Sequence, residues 1–453
     1  MDNSDFPLLS HTAAQTVARF GNTDISRDHF LADVYHVAQA LPDHSYAINL
    51  CENRYHFLVA FTAALVKGQT NLLPASHAQK TILDVAQQYP NSYCLTDHRI
   101  DGIELPEFFL QLPQNLTITD GAEVPHIASD HLACIAFTSG STGQSTPNAK
   151  TWGQLVRVTR LIQQSFGIQT LHPLTLIATV PPQHMYGLET SIMLPLVSGS
   201  CVFAGRPFYP QDIRNALLNQ DGPKVLITTP THLRVCVESG LSWPAPEFII
   251  SATAPLPQEL ALKAEQVFGA PVKEIYGCTE CGSMASRRTV EGNIWKLFDT
   301  LRISNQDGDS IATAPYLDQA VVLGDIVICH DENRFELAGR KSDMLNIAGK
   351  RASLADLNHK LLAIEGIEDG VLFLPDCAET DTLTRLVAFV VAPALQEKQI
   401  LDALRLHVDG AFLPRPIYKV EQLPREKTGK LPRKNLLSLL DQLRVGSTAH
   451  SAT

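Results

Sequence analysis

The sequence predicts an α/β fold, with a large N-terminal domain of helix-covered, mostly parallel sheets and a small α+β C-terminal domain after it. Three observations lead there. Between Leu132 and Tyr276, short apolar runs rich in β-branched residues alternate with stretches of helical spacing, as parallel strands and their covering helices do. The chain has 453 residues, more than one hydrophobic core ordinarily serves. Beyond Gly339 the elements shorten and the charge changes: residues 341–453 carry 15 Lys and Arg against 14 Asp and Glu, and the residues before them 21 against 33. That change divides the chain into 1–339 and 340–453.

The elements follow in order. "LACIA" (Leu132 to Ala136) is an apolar run that ends in a Gly/Ser/Thr loop, so it reads as a buried strand. In "WGQLVRVTRLIQQSF", Trp152, Leu155, Val158, Leu161, Ile162 and Phe166 fall on one helical face. "LTLIATV", "KVLITT", "EFIIS" and "VKEIY" repeat the strand pattern. Ligands of such sheets bind in loops at the carboxyl ends of the strands, which is where Thr138 lies. In the C-terminal part the expected elements are a helix near 353–364, strands "GVLFLP" and "RLVAFVVA", a helix near 395–408, strand "YKVEQL" and a last helix near 434–443.

Composition narrows the function. Hydrophobic residues make up 45% and charged ones 18%, a globular balance. A net charge of −11 argues against a nucleic-acid-binding surface. Nine scattered cysteines, an odd number, fit a reducing compartment better than a disulfide framework. The N-terminus has no basic stretch followed by an apolar core, so no secretory signal is expected. The longest apolar runs, such as "FLVAFTAALV", fall short of the roughly 20 residues that span a bilayer. A soluble cytoplasmic protein is expected.

The stretch "FTSGSTGQSTPNAKTW", Phe137 to Trp152, offers backbone N–H groups and small hydroxyls to an anion, with glycines where the backbone must approach closely. It is not a Walker A loop, which reads G-x-x-x-x-G-K-[ST], nor a dinucleotide G-x-G-x-x-G. Five further motifs follow it in order: "ISATAPLP", containing Thr253, Ala254 and Pro255; "YGCTE", Tyr276 to Glu280; "LGDIVI" with Asp325; "GRKSD", Gly339 to Asp343; and "PREKTGKLPR", Pro424 to Arg433. Together with the loop they cover about two thirds of the chain. In this ordered set the sequence resembles the adenylate-forming superfamily of acyl- and aryl-CoA synthetases, peptide-synthetase adenylation domains and luciferases.

The resemblance implies a two-step reaction. A carboxylate attacks the α-phosphorus of ATP, pyrophosphate leaves and an acyl-adenylate forms; a thiol, of CoA or of the phosphopantetheine on an acyl carrier protein, then displaces AMP. Negative charge builds near one phosphate in both steps, so fixed donors, Mg²⁺ and a cation serve better than a general base. By resemblance, Thr138, Ser139, Gly140, Ser141, Thr142 and Gly143 cradle the β- and γ-phosphates. Thr253, Ala254, Pro255, Tyr276 and Gly277 form the adenine site, with Tyr276 stacked on the base. Thr279 bonds the α-phosphate. Glu280 holds Mg²⁺, with Thr142 as a second ligand, which fits magnesium's preference for few carboxylates plus substrate oxygens. Asp325 accepts the ribose hydroxyls and Arg340 bonds the ribose beside them. Lys430, in the mobile C-terminal lid, brings the two anions together. His184, in "PPQHMYGLE", matches an H-x-x-G segment beside the acyl pocket. Cys278 and Cys281 form a C-x-x-C inside the "YGCTE" region, with no second pair near them to suggest zinc or redox chemistry.

The chain departs from the family pattern in places. The family's loop lysine follows T-G by two residues; here Gln144, Ser145, Thr146 and Pro147 stand there, so that lysine is absent or replaced by Lys150. Ser342 stands at the expected hinge, and Asp356 and Asn358 where the family has an acidic pair. The short chain and altered loop look like the compact ligases of aryl polyene and xanthomonadin-type pigment synthesis, which implies an aromatic acid substrate. A medium-chain fatty acid is the alternative, and a catalytically weak nucleotide-binding protein is the alternative of another class.

Overall fold

The computed structural model describes residues 5–13, 15–20, 23–100, 102–113, 118–139, 145–168, 174–340, 344–347, 350–375, 385–426 and 431–449, with backbone alone at 139, 145, 340, 344, 346, 350, 351, 353, 355, 356 and 445–449. It forms two compact units: Met1–Arg302 with Ala312–Val321, and Ile303–Ile311 with Val322–Thr453. The second unit therefore gathers chain that precedes the change of pattern near residue 339.

The first unit holds two sheets. In one, the order runs Ser145–Thr151, Leu132–Ser139, Thr70–Leu73, Tyr46–Asn49, Ser92–Thr96, Glu107–Phe109. All neighbours are parallel except the first pair. Thr70–Leu73 and Ser92–Thr96 are buried along their whole length, as strands covered on both faces must be. The apolar run "FLVAFTAALV" belongs to the helix Arg54–Val66, whose N-cap Asn53 accepts the N–H groups of Tyr55 and His56. That helix is apolar nearly all round because it lies in the core. Among the described residues no helix is long and apolar enough to cross a membrane.

The other sheet of the first unit contains, in order, Trp295–Leu297, Gly282–Arg288, Val272–Cys278, Phe248–Ser251, Lys224–Thr228, Thr175–Ala178, Cys201–Phe203, Thr16–Phe20 and Thr23–Ser26. From Val272–Cys278 to Thr16–Phe20 the neighbours are parallel. The four expected strands are all in this parallel stretch. The helix expected from "WGQLVRVTRLIQQSF" spans Trp152–Ser165, and Thr151 with Gln154 forms a capping box at its start. Trp152, Leu155, Val158 and Ile162 are buried.

In the second unit, Asp369–Phe373 pairs antiparallel with Val387–Val391, which pairs parallel with Ile417–Lys419. The helices Leu354–Leu362 and Glu397–Arg405 contribute Leu357, Leu361, Ile400 and Leu404 to its core. The final helix Arg433–Ala449 contributes Leu436 and Leu440 to a second cluster with Phe373 and Phe389.

Candidate active site

Chain order and sheet order disagree at Thr175–Ala178. The next strand in the chain, Cys201–Phe203, lies on one side of it, and the one after, Lys224–Thr228, on the other. Such a reversal opens a crevice at the carboxyl ends of the strands. Four adjacent strand ends, Ala178, Thr228, Ser251 and Cys278, form this edge. The loops that leave them carry His184, Thr253–Pro255 and Thr279–Glu280, so the fold brings these expected site residues together.

The His184 segment is tied down through its neighbours. The Tyr186 hydroxyl lies 3.1 Å from the Thr228 carbonyl and 2.9 Å from that of Ile250, and burial pushes its pKa well above the ordinary value. Gly187 sits against the chain before it: a Cβ there would meet the Pro181 carbonyl oxygen at 1.9 Å. His184 itself, half-buried, precedes the short helix Met185–Leu188. On the next strand end but one, Thr253 has φ 78. For a β-branched residue this left-handed conformation costs roughly 1–3 kcal/mol and marks candidate functional backbone. Thr253, Ala254 and Pro255 are all exposed.

The "YGCTE" motif forms a hairpin. Tyr276 and Gly277 end the strand Val272–Cys278, Cys278 pairs with Gly282, and Thr279 and Glu280 stand in the turn between. Tyr276 is 8% exposed, with its ring 5.7 Å from that of Trp295. Any side chain at Gly277 would strike the Gly282 carbonyl oxygen at 2.4 Å, so the turn closes this tightly only with glycine there. Glu280 is exposed. A single exposed carboxylate suits Mg²⁺ that takes its remaining ligands from phosphate and water. Among the described residues no group of three or more His, Cys, Asp or Glu could hold a metal. Cys278 and Cys281 are free thiols.

Thr138 and Ser139 end the strand Leu132–Ser139, and Gly140, Ser141, Thr142 and Gly143 lie outside the described residues. The chain then returns as Ser145–Thr151, with Ser145 opposite Ser139 and Thr146 opposite Thr138. The two strands thus form an antiparallel pair on either side of the candidate phosphate loop. Lys150, read from the sequence as a possible replacement for the loop lysine, stands opposite Cys134, at the other end of the strand from Ser145. Its ammonium donates to the Glu280 carbonyl at 2.5 Å, and the residue as a whole is only 7% exposed.

In the second unit, Asp325 opens the strand Asp325–Cys329 and is the register partner of Arg340. Lys430, Ser342 and Asp343 lie outside the described residues. The sequence reading missed three charged or polar anchors in the first unit. Arg54, 1% exposed, donates to the carbonyls of Ala178 at 3.0 Å and Val180 at 2.7 Å. Burial, with repulsion from Arg206, lowers its pKa to about 9. Glu189, 1% exposed, accepts from the N–H and hydroxyl of Ser283, and Tyr186 bolts the crevice loop. An acidic residue inside the apolar run "MYGLETSIMLPL" was the available signal for Glu189, since a buried carboxylate needs partners.

The crevice at the ends of these parallel strands places the candidate site where α/β enzymes bind their ligands. The chain belongs to the AMP-binding enzyme family, whose model matches residues 37–306. It is 27% identical over 332 residues to a 4-coumarate–CoA ligase of Halorhodospira halophila, covering 69% of this chain and 79% of that one. It is 20% identical over 324 residues to a 3,4-dihydroxybenzoate–[aryl-carrier protein] ligase of Bacillus anthracis, covering 69% and 76%. Among solved structures, ATP-bound MatB from Rhodopseudomonas palustris has the same fold, with a TM-score of 0.79, 18% identity and 96% of each chain covered.

Proposed function

We propose that this AMP-forming acid–thiol ligase activates an aromatic carboxylic acid with ATP and passes the acyl group to a thiol, on a carrier-protein phosphopantetheine or on CoA. The ligase class comes with the family; the aromatic acid and the acceptor are the proposed part. The observation that carries the site is the row of strand ends Ala178, Thr228, Ser251 and Cys278, which presents His184, Thr253–Pro255 and Thr279–Glu280 along one edge. Relatives named for 4-coumarate and 3,4-dihydroxybenzoate favour an aromatic acid over a medium-chain fatty acid.

In the proposed mechanism the loop from Thr138 to Gly143 holds the terminal phosphates. Tyr276 packs against adenine, while Asp325 and Arg340 hold the ribose. Thr279 donates to the α-phosphate, where charge builds as the carboxylate oxygen attacks and pyrophosphate leaves. Glu280 would hold Mg²⁺, which neutralises phosphate charge when bound. Lys430, from the C-terminal lid, steadies both anions, and rotation of that lid about Ser342 precedes thiol attack. ATP–pyrophosphate exchange across a panel of hydroxybenzoates, hydroxycinnamates and C6–C12 fatty acids tests the substrate. Exchange confined to the aryl acids is expected; exchange confined to the alkyl acids would reassign it.

A further inference from the structure

The turn that carries Glu280 is gripped from behind by three side chains from distant parts of the first unit. Lys150 donates to the Glu280 carbonyl at 2.5 Å. Glu189 Oε2 accepts the Ser283 N–H at 3.1 Å and the Ser283 hydroxyl at 2.5 Å. Tyr316 donates its hydroxyl to the Cys281 carbonyl at 3.3 Å. All three line one cavity of about 10 Å³, on the order of one water's space. The second oxygen of Glu189, Oε1, has no hydrogen-bond partner among the described residues.

This is a costly way to back an exposed turn. Burying an ammonium and a carboxyl group sacrifices their hydration, and an apolar filling would have avoided that loss. What the charged arrangement supplies is a fixed backbone from Glu280 to Ser283. A carbonyl held by an ammonium has one place to be, and so has the Cα that bears the Glu280 carboxylate. Lys150 also belongs to the strand that begins at Ser145, which pairs with Ser139. One strand therefore runs from that pairing to the residue that holds the glutamate turn.

We propose that Lys150 is a positioning residue: from behind the turn, beside the buried Glu189, it sets Glu280 to meet the metal ion that accompanies ATP. This rests on the reading of Glu280 as the metal-binding carboxylate. Outer partners of metal-binding groups typically change metal affinity 10- to 100-fold when removed. The inference gives Lys150 no contact with substrate, so its loss should be felt only where the metal is.

The test compares wild type, Lys150→Met, Lys150→Arg, Lys150→Met/Glu189→Gln and Glu280→Gln by calorimetric titration with ATP, in Mg²⁺ and in EDTA, alongside thermal melting. Lys150→Met is expected to weaken ATP binding about tenfold or more in Mg²⁺ and less than about twofold in EDTA, with partial rescue in Lys150→Arg. The double variant should regain thermal midpoint without regaining the Mg²⁺-dependent affinity. If Lys150→Met does not fold, the arginine and double variants carry the same comparison. Equal weakening with and without metal, or recovery of both stability and affinity in the double variant, would show Lys150 to be structural only and overturn the proposal. Glu280→Gln separates the two layers. If it abolishes the Mg²⁺ effect while the Lys150 variants keep it, positioning alone fails; if it leaves the Mg²⁺ effect intact, the metal reading of Glu280 fails and positioning falls with it.

Discussion

Asp325 and Arg340 stand opposite one another as register partners across an antiparallel strand pair. They lie fifteen residues apart in sequence and occupy facing backbone positions, and both are proposed to bond the ribose. A carboxylate accepting ribose hydroxyls makes charge-assisted bonds of roughly 1.5–3 kcal/mol. Asp325→Asn is therefore expected to raise KM for ATP roughly tenfold to a hundredfold while changing KM for the acid little. Steady-state kinetics with each substrate varied in turn checks this. A double-mutant cycle with Arg340→Gln should show coupling, because residues sharing a ligand are not additive.

Glu189 makes stability depend on pH. Burial raises its pKa from 4.5 to about 7, against the opposing effects of the Ser283 hydroxyl, Lys150 and the Ser283 N–H. Tyr316 and Cys281 line the same cavity. Between those two values the folded protein binds a proton that the unfolded chain does not, so stability falls as pH rises from 4.5 to 7. Glu189→Gln removes that slope. Relative to wild type the variant should gain stability between pH 5 and pH 8, by on the order of 3 kcal/mol at most. Denaturant unfolding across that range measures it, and parallel profiles for the two proteins would contradict the assignment.

Gly187→Ala tests the crevice loop. The added methyl would meet the Pro181 carbonyl oxygen at 1.9 Å, and Tyr186 holds the segment to two strand ends so that it cannot retreat. Overpacking of this kind costs about 1–3 kcal/mol or more. A lowered thermal midpoint is expected, with KM for the acid rising more than KM for ATP because the loop flanks the proposed acyl site. Gly410→Ala, where nothing lies within 4 Å of the new methyl, should change stability by less than about 0.5 kcal/mol.

The parallel strands were legible because each is a short apolar run bounded by turn residues, buried on both faces. The strand Ser145–Thr151 was not. "STPNAKT" has no apolar alternation and contains Pro147, and a proline is tolerated in a strand only at an edge or bulge; this strand is indeed the edge of its sheet. Motif order singled out Thr279, Glu280 and Asp325, and the structure sets the first two in one turn and the third at the start of a strand. Motif order could not give what Lys150 does, because the carbonyl that accepts its ammonium is 130 positions away. The membership of Ile303–Ile311 in the second unit likewise depends on contacts between distant segments, such as Asn305 Nδ2 donating to the Val327 carbonyl at 3.0 Å.

Lys430 lies outside the described residues. In the first half-reaction a carboxylate must approach an α-phosphate, two anions that repel. An ammonium reaching both would lower that barrier and gain strength as charge gathers in the transition state. In the second half-reaction a thiolate attacks a carbonyl whose leaving group, AMP, is already activated, so the same ammonium has less to do. Lys430→Ala should therefore cut acid-dependent ATP–pyrophosphate exchange by roughly 10²–10³-fold yet largely spare thioester formation from chemically supplied acyl-adenylate. Both rates can be measured on one preparation, which removes folding as an explanation for a difference between them. Equal loss in the two half-reactions would assign Lys430 to the architecture of the lid instead of to adenylation.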